Sequence, residues 1–256
     1  MSLTTTAARR RSLSGYYLAL ETKLALTSVV ALVFCIAMPI ALYLLFGATF
    51  GKYPAGNGNM NAVILSSMGI YGAAMTATSC AYSLPVERAS GWNRELRLTP
   101  LRPWAYVLGK VLAAMIAALV SLIVLYAVGL IVHQAQMPIS SWFATLGIAW
   151  LSSIGWAALG LFIGLMINKG DPSAVIVPVI LVCSFLSGVF QIPFEGRVWQ
   201  IIRQIIPMGG PVRWSESMFG SQVATTDWTV WTNTIGWTVV FFLLAAWAFS
   251  RDTRRG

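Results

Sequence analysis

Charge is scarce in this chain. Asp, Glu, Lys and Arg make up 10% of its 256 residues, where a soluble domain carries about 25%, so a water-exposed surface of this size cannot be covered. Carboxylates are scarcer still, 8 against 17 Lys and Arg. There is one histidine, His133, at the end of an apolar stretch, which removes the Ser–His pair at matching depth that an intramembrane protease would need. The three cysteines, Cys35, Cys80 and Cys183, each sit in an apolar run. Their odd number and spacing fit no zinc or redox pattern, and they read as small packing residues. No cluster of His and carboxylates offers a metal site; Glu87 and Glu95 are the closest pair, and they lie in a polar loop. The phosphate-cradling pattern G-x-x-x-x-G-K-[ST] is missing, because Gly109-Lys110 is followed by Val111. The chain therefore has no P-loop route to ATP hydrolysis of its own. The net charge of +9 could suggest nucleic acid, but the basic residues lie between apolar runs with no folded soluble module around them. No cleavable signal peptide is expected at the basic N-terminus.

What is abundant is apolar surface: 57% hydrophobic residues and a mean hydropathy of +0.74. A membrane-crossing helix needs about 20 mostly apolar residues, and six stretches qualify: 24–46, 62–84, 106–132, 142–167, 173–192 and 229–249. They are too long and too evenly apolar for barrel strands. The expected fold is an all-α polytopic membrane protein, one transmembrane domain over residues 1–256, with a cytoplasmic tail and interfacial helix in 1–23, six spans in 24–249 and a cytoplasmic tail in 250–256. Lys110, at the start of the third stretch, is counted with the loop charges. With it set aside no stretch contains Asp, Glu, Lys or Arg, which argues against a pump built on buried carboxylates. The second stretch is rich in hydroxyls (Ser66, Ser67, Thr76, Thr78, Ser79), suiting a helix packed against protein or lining a cavity.

Basic residues set the orientation. Thirteen fall on one side (Lys23, Arg88, Lys169 and Arg251 among them) and four, Lys52, Arg197, Arg203 and Arg213, on the other. The first side is expected to be cytoplasmic, with both termini inside a plasma membrane. Outside, residues 47–61 read as a Gly/Asn loop and 193–228 as a longer insertion. In the latter Val198, Trp199, Ile202, Ile205 and Ile206 share a helical face. Pro207-Met208-Gly209-Gly210-Pro211 ends that helix, a second short one can follow, and the whole can lie at the interface or dip into the membrane. On the inside, Leu13, Tyr16, Tyr17 and Leu20 give residues 12–23 an apolar face behind Arg9–Arg11, an interfacial helix. Pro39 and Pro178 are expected to kink their spans. Gly160 and Gly164 form a G-x-x-x-G packing face, within the subunit or between subunits.

The most informative loop is 85–103. It carries Glu87, Arg88, Arg94 and Glu95 beside a large aromatic, Trp92, a combination typical of protein-interface anchors. Two apolar spans followed by Glu87-Arg88, Gly91, Glu95, Leu98-Thr99-Pro100 and Gly109-Lys110 resemble the membrane subunits of type-2 ABC exporters, whose loop reads E-R-x-x-G-T-x-E-x-L-x-x-(S/T)-P. The sequence departs from that pattern at Trp92 and in having Arg94 before Glu95. The resemblance extends over the whole chain, and it implies a coupling helix within 85–99 that docks on a separate ABC ATPase subunit through Glu87, Arg88, Gly91, Trp92, Arg94, Glu95 and Thr99. It also implies that residues 12–23 are a connecting helix beside it, that two membrane subunits pair, identical or different, and that ATP and Mg are bound by the partner and no cofactor by this chain. The external insertion would cap an exit path.

With no charge in the spans, a path through them would be apolar, aromatic and hydroxyl-lined, suiting a hydrophobic or amphipathic cargo: a drug or antibiotic, a lipid or a lipid-linked glycan. Drug-like cargo is favoured, because the external insertion is small and no carbohydrate-binding domain is evident. Met68, Tyr71, Met75 and Tyr82 on the second stretch, with Phe185 and Phe190 on the fifth, are candidates for the lining, and each is equally open to an ordinary packing role. Two other functions fit less well: a membrane anchor or sensor that recruits a cytoplasmic partner without transporting anything, and an intramembrane enzyme, which lacks the polar groups.

Overall fold

The computed structural model describes residues 29–82, 103–132, 134–167, 172–192, 196–220 and 227–253. The interfacial helix expected at 12–23, the loop 85–99 and His133 lie outside them. Eight helices are described: α1 (Val29–Phe50), α2 (Met60–Ala81), α3 (Pro103–Val132), α4 (Ile139–Met166), α5 (Ser173–Ser187), α6 (Arg197–Ile205), α7 (Gly209–Ser217) and α8 (Trp228–Thr253). A two-stranded antiparallel hairpin, β1 (Pro54–Ala55) and β2 (Gly58–Asn59), joins α1 to α2. The protein is all-α and multi-pass. Within the described residues α1, α2, α3, α4 and α8 are long and apolar enough to cross a membrane.

The fifth expected span behaves differently. Its helix α5 has 15 residues, a rise of about 22 Å where the hydrocarbon core is about 30 Å thick. It stops at Gly188, which takes the left-handed φ of 87° that ends a helix without a Cβ penalty. The chain then turns at Gln191, at the level of Ser67 on α2, where Gln191 Nε2 donates to Ser67 Oγ at 3.1 Å. Helix α6 packs against α5 and α8, and α7 against α2, α4, α5 and α8. The expected breaker, residues 207–211, ends α6 as anticipated, but its second half is already helical: α7 begins at Gly209, with Pro211 in the first turn, where no intrahelical donor is lost.

The hub is α2. Eighteen of its residues are buried, and it packs against α1, α3, α4, α5 and α7. The close pairs fix the directions. Against α1, Cys35 meets Ser79 and Gly47 meets Asn61, an antiparallel register. Against α3, Gly129 meets Leu65 and Gly69 meets Tyr126, again antiparallel. Against α4, Trp156 meets Thr78 and Gly164 meets Tyr82, so these two run parallel. The G-x-x-x-G face thus acts within the subunit, where Gly160 and Gly164 admit the backbone of α2 around Thr78 and Tyr82. Small residues permit this approach, and in lipid close van der Waals contact is a main source of helix association.

Lys110 does not belong with the loop charges. It lies seven residues inside α3 and is 2% exposed. The helix begins before this charge, because a single Lys, itself a good helix former, does not interrupt a helix.

Candidate functional site

The coupling residues read from the sequence, Glu87, Arg88, Gly91, Trp92, Arg94, Glu95 and Thr99, lie outside the described residues. What is described is their foundation. Helix α2 enters the segment at Tyr82 and α3 leaves it at Pro103. Since α2 and α3 are antiparallel neighbours, both ends of the segment are held at one end of the bundle.

The six candidate lining residues are distributed unevenly. Met68 and Tyr71 are fully buried in the core, Met75 and Tyr82 half-buried, and Phe185 is 41% exposed on α5. Phe190, in the turn after α5, is half-buried, and its ring lies 5.9 Å from that of Tyr71 and 6.1 Å from that of Phe46 on α1. The structure therefore brings together Tyr71 and Phe190, adds Phe46, and leaves Phe185 exposed on α5. This Phe46–Phe190–Tyr71 seam, with the Gln191–Ser67 hydrogen bond beside it, joins α1, α2 and the end of α5. Gln191 holds it in a conformation with φ of 55°, the one positive φ outside glycine among the described residues. Such a backbone persists where surrounding contacts over-determine it.

A polar frame that sequence reasoning missed surrounds the short helices. Arg203 on α6 donates from Nε to the Ser187 carbonyl at 2.8 Å and from Nη2 to Glu216 Oε1 on α7 at 2.8 Å. It thereby ties the end of α5 to α6 and α7. Arg213, 7% exposed on α7, reaches Asp227 Oδ2 at 2.7 Å and Thr229 Oγ1 at 3.0 Å. Asp227 in turn caps α8 by accepting from the Thr229 backbone N–H. Inside α8, Asn233 donates to the carbonyls of Gln204 and Ile206 at 2.7 and 2.9 Å and accepts from the Gly210 N–H. These are the backbone groups that the break between α6 and α7 leaves without helical partners. Trp237 Nε1 donates to the Ile205 carbonyl at 2.7 Å. Asn233 in an otherwise apolar span was the available signal. The arginines had been read only as charges marking a side of the membrane.

Burial pushes the Glu216 carboxyl above its ordinary value, with Arg203 and Arg213 pulling the other way. Asp227 is held below its ordinary value, first by the backbone N–H and hydroxyl of Thr229 and then by Arg213.

On α6, Val198, Ile201 and Ile205 are exposed, while Trp199, Ile202 and Ile206 are half-buried. The apolar face expected here is thus split, one half turned to the bundle and the other outward, as a helix lying at a lipid interface would be.

Residues 18–217, more than three quarters of the sequence and reaching from before α1 through α7, match the family model described as ABC-2 type transporter. The chain belongs to that family. Among curated proteins it is similar to one of Bacillus subtilis (strain 168) named "Putative transport permease YvfS", with 26% identity over 159 residues. That match covers 62% of this chain and 64% of the relative, so the chain spans somewhat less than two thirds of the relative it matches. Within the ABC-2 family match fall the loop 85–103, the seam at Tyr71 and both ion-paired arginines.

Proposed function

We propose that this chain is the membrane-spanning subunit of an ATP-driven exporter that moves a hydrophobic or amphipathic molecule, whether drug or antibiotic, lipid or lipid-linked glycan, out of the cell. ATP and Mg are bound by a separate ABC ATPase subunit, which docks on the loop 85–99. A second membrane subunit completes the transporter in the plasma membrane, with both termini and the loop on the cytoplasmic side, where twelve of the seventeen Lys and Arg fall once Lys110 is set aside. Family membership supports the class, and the position of α2 supports the coupling.

The observation that carries the reading is that the helix leading into the loop is buried along most of its length and packs against five others. A displacement imposed at the loop is delivered to the middle of the bundle, because packed interfaces shift between discrete arrangements and do not deform continuously. The aromatic seam at Phe46, Phe190 and Tyr71 lies along that helix, with Phe46 and Phe190 half-buried beside the core, and would offer an apolar path if the helices part.

The test is reconstitution with the ATPase in proteoliposomes. Glu87→Ala and Gly91→Pro are expected to leave insertion intact while separating ATP turnover from cargo movement. Unchanged transport in both would remove the coupling role. Partner binding without movement of any of the three cargo classes would point to the anchor or sensor reading.

A further inference from the structure

At the end of the bundle that carries the hairpin, the last turn of α1, the hairpin, the start of α2 and the α3–α4 connection enclose a cavity of about 680 Å³. This lies within the size range of small-ligand sites, about 300–1,000 Å³. None of the seam residues lines it. We propose that this cavity is a binding site for a hydroxyl-rich group, a sugar or polyol. Nothing in the proposal depends on what the subunit transports.

The lining chooses the ligand class by its chemistry. Four amide-bearing residues line it, Asn59, Asn61, Gln134 and Gln136, together with Lys52, and its described lining contains no carboxylate, aromatic ring or large aliphatic side chain. An apolar ligand would gain little there. A cation would find no counter-charge, and a compact anion would find a single, exposed ammonium beside the carbonyl end of α1, which is the negative end of the helix dipole. A hydroxyl both donates and accepts, and so matches a wall of amides.

The wall is built. Asn61 is 2% exposed, with Nδ2 3.1 Å from Gln134 Oε1 and 3.5 Å from the Gly47 carbonyl, while its Oδ1 is buried without a hydrogen-bond partner. Asn59 Nδ2 donates to the Gln134 carbonyl at 2.6 Å and Asn59 Oδ1 accepts from the backbone N–H groups of Ala62 and Gln136. These contacts lock the α3–α4 connection onto the start of α2. They leave the Gln134 Nε2 group and the Gln136 side-chain amide outside the hydrogen bonds that hold the wall together. Gly51 permits the closure, since a Cβ there would collide with the Gly47 carbonyl and the Asn61 amide. The Gln134 Nε2 group and the Gln136 amide are the complement that a ring of hydroxyls would meet, on a wall that Asn59 and Asn61 hold in place.

The experiment uses the full chain in phosphatidylcholine nanodiscs and reads the rate at which a water-soluble amine-reactive ester acylates Lys52, by mass spectrometry. The probes are free maltose, nanodiscs doped with a glucosyl diacylglycerol, plain nanodiscs and inorganic phosphate. Saturable protection of Lys52 by maltose supports the site and identifies a soluble saccharide as its source. Protection by the glucosyl lipid alone supports it and identifies a lipid-linked one. Gln136→Ala should weaken the protecting probe about threefold to tenfold, the loss of one or two neutral hydrogen bonds, with the unfolding temperature unchanged, because the backbone of Gln136 makes the contacts to Asn59. Protection by neither sugar probe, equal protection by phosphate or plain nanodiscs, or unaltered protection in Gln136→Ala would each overturn the proposal.

Discussion

Thr78 Oγ1 lies 3.1 Å from the Trp156 carbonyl and 2.7 Å from the Ala74 carbonyl of its own helix. A single hydroxyl proton thus serves α2 and α4 at once, at the place where Gly160 lets the two backbones meet. The contact is backbone-deep, so its tolerance to added atoms should be poor.

Gly160→Ala would drive a Cβ into the Thr78 carbonyl. It is expected to destabilise the chain by about 1–3 kcal/mol, the usual cost of overpacking a filled interface. Gly147→Ala on the same helix meets nothing within 4 Å and should be neutral or slightly stabilising. Thermal unfolding of both variants in detergent checks the contrast, and equal behaviour would refute the packing assignment.

Asn233→Ala removes one partner from each of two carbonyls and from the buried Gly210 N–H at the α6–α7 break, while the Ile206 carbonyl keeps the Gly209 N–H. The expected loss is about 1–3 kcal/mol, mostly the penalty for leaving the buried Gly210 N–H unmade. Hydrogen exchange at the Gly210 amide should speed up more than exchange in the middle of α4. A uniform change would show that Asn233 does not act locally.

Gln191 combines a strained backbone with a useful side chain. Gln191→Ala keeps the positive φ and loses the bond to Ser67, and should cost about 1 kcal/mol. Gln191→Gly loses the same bond but relieves the strain, so it should be the better tolerated of the two in the same unfolding assay. The reverse order would mean that glycine's greater freedom in the unfolded chain outweighs the strain relieved at this position.

The two carboxylates beside the arginines should titrate in opposite senses. Asp227 is depressed in the folded state, so its contribution is present above its ordinary value of 3.8 and is lost as pH falls through the lower folded value. Glu216 is raised, so its contribution is fully present below its ordinary value of 4.5 and is lost as pH rises through the higher folded value. Between neutral pH and about 4.5 acidification should therefore favour the fold through Glu216, and below 3.8 it should disfavour it through Asp227. Unfolding followed against pH in Glu216→Gln and Asp227→Asn should flatten the first and second limbs respectively.

Much of the fold was legible because a bilayer imposes a simple rule: about 20 uncharged residues make a spanning helix. Five stretches obeyed it. The same rule overran at the fifth, since composition records how apolar a stretch is and not where Gly188 turns the chain. Lys110 misled for a related reason, as charge counting assigns a residue to a side of the membrane and cannot see that the apolar helix begins before it. The aromatic candidates on α2 were found by residue type. Their sorting into a seam (Tyr71 with Phe190) and an outward position (Phe185) required knowing which helices touch.

By itself the sequence determined the solvent of this protein, its helical class, the family to which its loop motif pointed, and the G-x-x-x-G face, because these follow from local chemistry: hydropathy, charge and small-residue spacing. The tertiary structure alone decided that α2 is the hub, that Gly160 serves the subunit's own interior, that Arg203 and Arg213 pair with Glu216 and Asp227, and that four amides from distant segments share one cavity. Each of these depends on which residues far apart in sequence come within a few ångströms. That is set by the packing of whole helices, and no local pattern encodes it.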